Sequence, residues 1–135
     1  MVEVDRAPNS RLVLLDANAL LSAVRLRIDL QREVQRVAPG WTPVVPTCVL
    51  RELENLGARQ HAAGARALAT RFPLIEARGQ GDRAIIRAAR GGEQRAVATN
   101  DRKLRAELAR LGVPVLFIRG RRRLEGAEAL GGGSV

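Results

Sequence analysis

Apolar residues along the chain fall into short continuous runs separated by longer stretches with helical spacing. LVLL at Leu12–Leu15 is wholly apolar and short, as expected of a strand buried on both faces. From 19 to about 37 the spacing turns helical through Leu20, Leu21, Val24, Leu26, Leu30, Val34 and Val37, and one or two helices fit before Pro39-Gly40. TPVVP at Thr42–Pro46 reads as a second strand. Thr47 suits the cap of a helix whose apolar positions are Val49, Leu50, Leu53 and Leu56 and whose stop is Gly57. Residues 60–71, rich in Ala and Arg, read as another helix. A weak third strand at 74–77 leads through the turn Gly79-Gln80-Gly81 to a helix opened by Asp82 and stopped by Gly91-Gly92. A fourth strand at 96–99 precedes a helix begun by Asp101, with Leu104, Leu108 and Leu111 on one face, and a fifth strand follows at 113–118.

Strands alternating with helices predict a single α/β domain, with a five-stranded parallel sheet and helices on both faces. Its expected bounds are 11–124, between a flexible arm at 1–10 and a flexible tail at 125–135. The tail follows from the sequence RGRRRLEGAEALGGGSV, a basic run with a Gly/Ser end. No internal repeat interrupts this reading.

Composition predicts an aliphatic core of Leu, Val, Ile and Ala, since Trp41, Phe72 and Phe117 are the three aromatic residues among 135. The net charge is +9, and Lys103 is the one lysine, so the charge is carried by arginine and favours a polyanionic partner such as nucleic acid. A solvated arginine-rich surface is the plainer reading of the same charge. The single cysteine, Cys48, forms no internal disulfide, and no Cys/His spacing suggests zinc. A reducing, cytoplasmic location fits, and without a signal-like start or a long apolar run no membrane association is expected.

In open parallel sheets, ligands bind outside the carboxyl ends of the strands. Asp16 ends the first strand. Glu52 lies one helical turn beyond the second, Asp82 opens the helix after the third, and Asp101 follows the fourth. All four acids therefore belong at one edge, where they repel one another unless a cation gathers them. Oxygen ligands without His or Cys suit Mg2+ or Mn2+, and such ions assist phosphoryl chemistry. Each acid also has an ordinary reading: helix-start residues for Asp82 and Asp101, a surface partner of Arg51 or Arg59 for Glu52. Asp16 resists one, because apolar residues flank it. Asn18 is a candidate to orient Asp16 or meet a phosphate. Glu54, Glu33, Glu107, Asp5 and, least firmly, Asp29 fit the site poorly.

The ordered set LLDANALL, VVPTCVLRELENL, GQGDRAIIRAA, AVATNDRKLRAEL and VPVLFIRGRRRL resembles the PIN-domain nucleases. The likeness runs from Leu12 to about Leu124 and is nearest to the archaeal and ribosomal-RNA-processing branch; VapC-type toxins share the core. The resemblance implies a compact α/β/α fold and metal-dependent hydrolysis of RNA phosphodiesters. It implies Asp16, Glu52, Asp82 and Asp101 as catalytic, Mg2+- or Mn2+-binding acids, with Thr99 and Asn18 beside them. RNA is the implied partner, with a homodimer and, on the toxin reading, an antitoxin protein as further candidates. Two departures stand out: Ala17 where the family often has Thr, and Arg83 where this branch often has a second Asp after Asp82. Arg102, Lys103, Arg119, Arg121, Arg122 and Arg123 are candidates to hold RNA phosphates through salt-sensitive contacts. A non-catalytic RNA-binding module is the competing class. A Rossmann-like phosphatase fits less well, because such enzymes commonly place an acid where Asn18 stands. His61, Cys48 and Trp41 read as surface or packing residues.

Overall fold

The computed structural model describes residues 11–120 and 122–126. The elements are β1 (Leu12–Leu15), α1 (Ala17–Leu26), α2 (Leu30–Val37), β2 (Thr42–Pro46), α3 (Thr47–Leu56), α4 (Ala62–Ala69), β3 (Leu74–Ile75), α5 (Gly81–Ala89), β4 (Arg95–Ala98), α6 (Arg102–Arg110), β5 (Val115–Arg119) and β6 (Arg123–Gly126). The helical stretch before Pro39 is two helices. Arg27, in the left-handed region at φ 57°, closes α1, and the Asp29 side chain accepts from Arg32 N–H to cap α2. That bond gives Asp29 a structural task away from the acids.

The sheet order is β3-β2-β1-β4-β5-β6. β1 pairs in parallel with both β2 and β4, so successive connections run outward in opposite directions from the β1/β4 boundary. The right-handed rule for such crossovers assigns α1–α4 to one face and α5–α6 to the other. Every residue of β1 is buried, as its unbroken apolar run requires. The core around it is aliphatic, with Leu14, Leu15, Leu20, Leu53, Leu104, Leu108 and Leu116 fully enclosed. No helix among the described residues is long and apolar enough to cross a membrane.

The five expected parallel strands are present as β1 to β5, and the sheet carries one strand more than expected. A sixth strand, β6, pairs antiparallel with β5, from Leu116↔Gly126 to Arg119↔Arg123, so the ordered domain continues past Leu124 to Gly126. Leu124 is buried, and at Gly126 a Cβ would fall 2.0 Å from Leu116 Cδ2, so a side chain there requires the enclosed Leu116 to shift. α2 fastens this strand. The Glu33 carboxylate accepts from Leu124 N–H at 2.9 Å, and Arg36 Nη2 donates to Leu124 O at 2.6 Å and to Glu33 at 2.9 Å. Glu33 is thus a clamp rather than the exposed helical position its spacing suggests. The arm at 1–10, Arg121 and residues 127–135 of the expected tail lie outside the described residues.

The Arg36 hydrogen bond holds the Glu33 carboxyl below its usual range, despite partial burial. A lowered folded-state pKa adds stability above the ordinary value of 4.5, and that contribution is lost as pH falls through the folded value. Glu33→Gln should therefore cost about 1–3 kcal/mol at neutral pH. Its deficit against the wild type should shrink on acidification. Equal denaturant midpoints for the two proteins at pH 7 would show that β6 is held by something else.

Candidate active site

Asp16 immediately follows β1, where its N–H bonds to Ala98 O of β4 at 3.1 Å. It stands at the N-cap of α1 but makes no side-chain cap bond, so its carboxylate is not committed to the helix. Only 7% of the residue is exposed. Burial is the main cause that pushes its carboxyl up to about 6; Glu52 and Asp82 push the same way, and a hydrogen bond from Thr99 opposes them.

Thr99 links two of the acids. Its buried hydroxyl donates to Asp16 Oδ2 at 2.9 Å and accepts from Asp101 N–H at 3.1 Å. Asp101 caps α6 through Oδ1, which accepts from Lys103 N–H at 2.9 Å and Leu104 N–H at 3.2 Å. The ordinary helix-start role foreseen for Asp101 is therefore real. Oδ2 takes no part in that cap, and Asp101 also acts on Glu52 and Asp82, so the residue belongs to the acid cluster as well.

Asn18 makes its hydrogen bond with the β4–α6 turn. Its Oδ1 accepts from Asn100 N–H at 2.8 Å, tying α1 to the turn that carries Asp101. Asn100 itself, passed over in the sequence, locks this turn to β5: Nδ2 donates to Ile118 O at 3.1 Å and Oδ1 accepts from Ile118 N–H at 2.6 Å.

Glu52 and Asp82 approach from the other side, along a cleft of about 670 Å3 lined by α3 and the segment before α5. Both are exposed residues, yet both carboxyls are raised, first by partial loss of solvent and then by neighbouring acids. Asp82 and Asp101 act on Glu52; Asp101 acts on Asp82, with Lys103 opposing. Neither Arg51 nor Arg59 pairs with Glu52. Arg51 Nη2 donates to Ala77 O at 2.7 Å and Gly79 O at 2.9 Å, and Arg59 Nε donates to Leu56 O.

The segment before α5 is held by residues whose type gave little warning. Thr47 is the first residue of α3 rather than its cap. Its hydroxyl accepts from Ala77 N–H at 2.9 Å and donates to Ala77 O at 3.1 Å. Gly79 and Gly81, at φ 87° and 72°, then turn the chain into α5 and deliver Asp82 in the first turn, where it makes no cap of its own. Cys48 also lines the cleft, but burial raises its thiol to about 11, leaving it protonated and unreactive.

Four carboxylates thus influence one another at the sheet edge, where the strand order reverses. Their all-oxygen chemistry fits a hard divalent cation. Among the described residues, however, no group of three or more His, Cys, Asp or Glu side chains is placed closely enough to hold a metal ion. Arg102, Lys103, Arg119, Arg122 and Arg123 are exposed around the β4–α6 and β5–β6 ends, while Arg121 lies outside the described residues.

Comparison with known proteins agrees with this architecture. No curated protein matches the chain. Among solved structures, the PIN domain endonuclease Utp24 superposes with a TM-score of 0.73 at 25% identity, covering 87% of this chain and 91% of that one. The model of the PIN-like domain family matches residues 13–121, which is most of the folded unit. The chain belongs to the PIN-like domain family.

Proposed function

We propose that this protein is a metal-dependent ribonuclease acting in RNA processing. The observation that carries the reading is the electrostatic cluster of Asp16, Glu52, Asp82 and Asp101, drawn from four separate segments to the reversal point of the sheet. Mutual repulsion of this kind costs stability, and a function that needs a cation there accounts for it. The likeness to a PIN domain endonuclease supports the same class.

In this reading Asp16 and Asp101 hold Mg2+ or Mn2+ directly, and Glu52 and Asp82 hold it directly or through water. A divalent cation in that position supplies positive charge against the phosphate and makes water more acidic. The protein's own groups do the rest. Thr99 fixes the Asp16 carboxylate, and the α6 cap fixes Asp101. Glu52 and Asp82 line the open cleft, which places them within reach of a water approaching phosphorus and makes them the candidate proton acceptors. Arg102 and Lys103, at the start of α6, suit the phosphates on either side. Arg119, Arg122 and Arg123 suit phosphates further along the strand. No feature of the described residues supports the homodimer or the antitoxin partner.

Asp16→Asn should reduce RNA cleavage by more than about 100-fold in Mn2+ or Mg2+. Chelator should abolish cutting by the wild type. Turnover of Asp16→Asn at the wild-type rate would sink the assignment.

The same variant has a stability signature in metal-free buffer. A raised folded-state pKa means that charging Asp16 costs stability progressively from its ordinary value of 3.8 up to about 6, and the full cost persists above that. Asp16→Asn should therefore be more stable than the wild type at pH 7, by about 1–3 kcal/mol, and indistinguishable from it near pH 4. Mn2+ should raise the thermal midpoint of the wild type and leave that of Asp16→Asn in place.

Asp101 separates cap from charge. Asp101→Asn keeps a capping oxygen and should lose cleavage with little change in stability. Asp101→Ala should lose cleavage and about 1 kcal/mol of stability. Full activity in Asp101→Asn would reduce this residue to a helix cap.

A further inference from the structure

The edge of the sheet at β5–β6 is open on one face. Strand alternation sets Val115, Phe117 and Arg119 opposite to buried Leu116 and Ile118. The antiparallel register puts Glu125 beside Phe117 and Arg123 beside Arg119. Between this strand face and α6 runs a groove of about 540 Å3, lined among others by Arg102, Arg105, Val115 and Phe117. Phe117 is only half-buried there, whereas Phe72 is enclosed in the core and Trp41 packs against it. The Arg105 guanidinium lies over the Phe117 ring, with Cζ 3.9 Å from the centroid, and Arg119 approaches to 5.7 Å. Arg119 is also paired with Glu125 at 3.3 Å, while Arg105 has no carboxylate partner among the described residues.

We propose that Arg105 and Phe117 form a stacking site for an unpaired base of single-stranded RNA. A planar guanidinium held against an aromatic ring is a ready surface for a base, and both group types serve this purpose in RNA recognition. The charge at the groove selects the occupant. Arg102 in the lining and Arg119 beside Phe117 both lie toward the end where α6 starts and β5 finishes, giving the apolar floor a cationic margin on the side of the acids, which complements a base with its flanking phosphate. An RNA duplex hides the faces of its bases and gains nothing from such a floor. Position links the groove to the acids: Arg105 is one helical turn from Asp101, about 6 Å along the α6 axis. The assignment of that neighbouring edge to phosphate cleavage rests on the ribonuclease reading; the stacking itself does not require cleavage.

Binding measured by fluorescence anisotropy in chelator separates the two ideas. The probes are a short single-stranded RNA, an abasic ribose-phosphate strand of equal length and an RNA duplex. Phe117→Leu keeps apolar packing but loses the ring, and Arg105→Lys keeps the charge but loses the plane. Each should weaken binding to single-stranded RNA roughly tenfold. Affinity for the abasic strand and the duplex, and the salt dependence of binding, should stay at wild-type values. Circular dichroism checks folding of Phe117→Leu, and Arg105→Lys leaves the ring in place should that variant misfold. Unchanged affinity for single-stranded RNA in Arg105→Lys would overturn the proposal and leave the groove to a protein partner. So would an equal loss on the abasic strand, or a wild type that binds no RNA. A wild type that binds as expected but cuts no RNA with Mn2+ or Mg2+ would overturn the ribonuclease reading and leave the stacking site standing.

Discussion

The hydrogen bond from Thr99 to Asp16 reconciles the hydrophobic core with the acidic edge. β1 is enclosed on all sides, and the residue that follows it is a carboxylate only 7% exposed. Such a group is costly to charge without a donor. Thr99 supplies one from the adjacent strand end, at 2.9 Å, and accepts the Asp101 N–H with the same oxygen. One hydroxyl thus sets the spacing between an acid from the β1 end and an acid from the β4 end. The sheet makes the meeting possible, because β1 and β4 are parallel neighbours in register from Leu12↔Arg95 to Leu15↔Ala98. A slip of one residue would turn Thr99 to the opposite face and leave Asp16 buried without its donor.

The second pair of acids depends on backbone hydrogen bonds of a different kind. Thr47 and Arg51 of α3 grip Ala77 and Gly79, so the segment leading to Asp82 is fastened to the helix that carries Glu52. Asp16 and Asp101 sit on the rigid β1–β4 seam, whereas Glu52 and Asp82 border an open cleft.

Periodicity made most of the fold legible. The four-residue apolar run of β1 and the Leu104/Leu108 spacing of α6 each have one stable use, so strands and helices follow from them. The expectation that the four acids share one edge came from strand ends, and Glu52, Asp82 and Asp101 each act electrostatically on a neighbouring acid. What escaped was written in long-range backbone hydrogen bonds. β6 carries the basic residues of a loose tail, and its order depends on Glu33, 91 positions away from Leu124. Thr47, Arg51 and Asn100 also act on main-chain groups, and a side chain that satisfies a distant N–H or C=O leaves no pattern in its own neighbourhood. Asp101 shows the opposite case, since the helix-cap reading and the cluster reading compete in the sequence but use different oxygens in the structure.

Net charge is a weaker guide to partners than the position of each arginine. Several guanidiniums are fastened to main-chain carbonyls within the fold: Arg66 to Leu53 and Gly57 at the end of α3, Arg95 to Ala88 near the end of α5, and Arg36 to Leu124. Cations near helix C-termini are favourable on their own account, so part of the +9 is structural. The cluster of four acids, meanwhile, repels any phosphate that approaches it without a cation. Attraction for a polyanion must therefore come from beside the acids, and α6 has that arrangement: Asp101 at its start is followed at once by Arg102 and Lys103, then by Arg105 over Phe117. On the ribonuclease reading, a strand drawn to this basic flank lies next to the acids rather than on them. On that same reading, the repulsion that would defeat binding at the cluster sets where along the strand a cation would be needed.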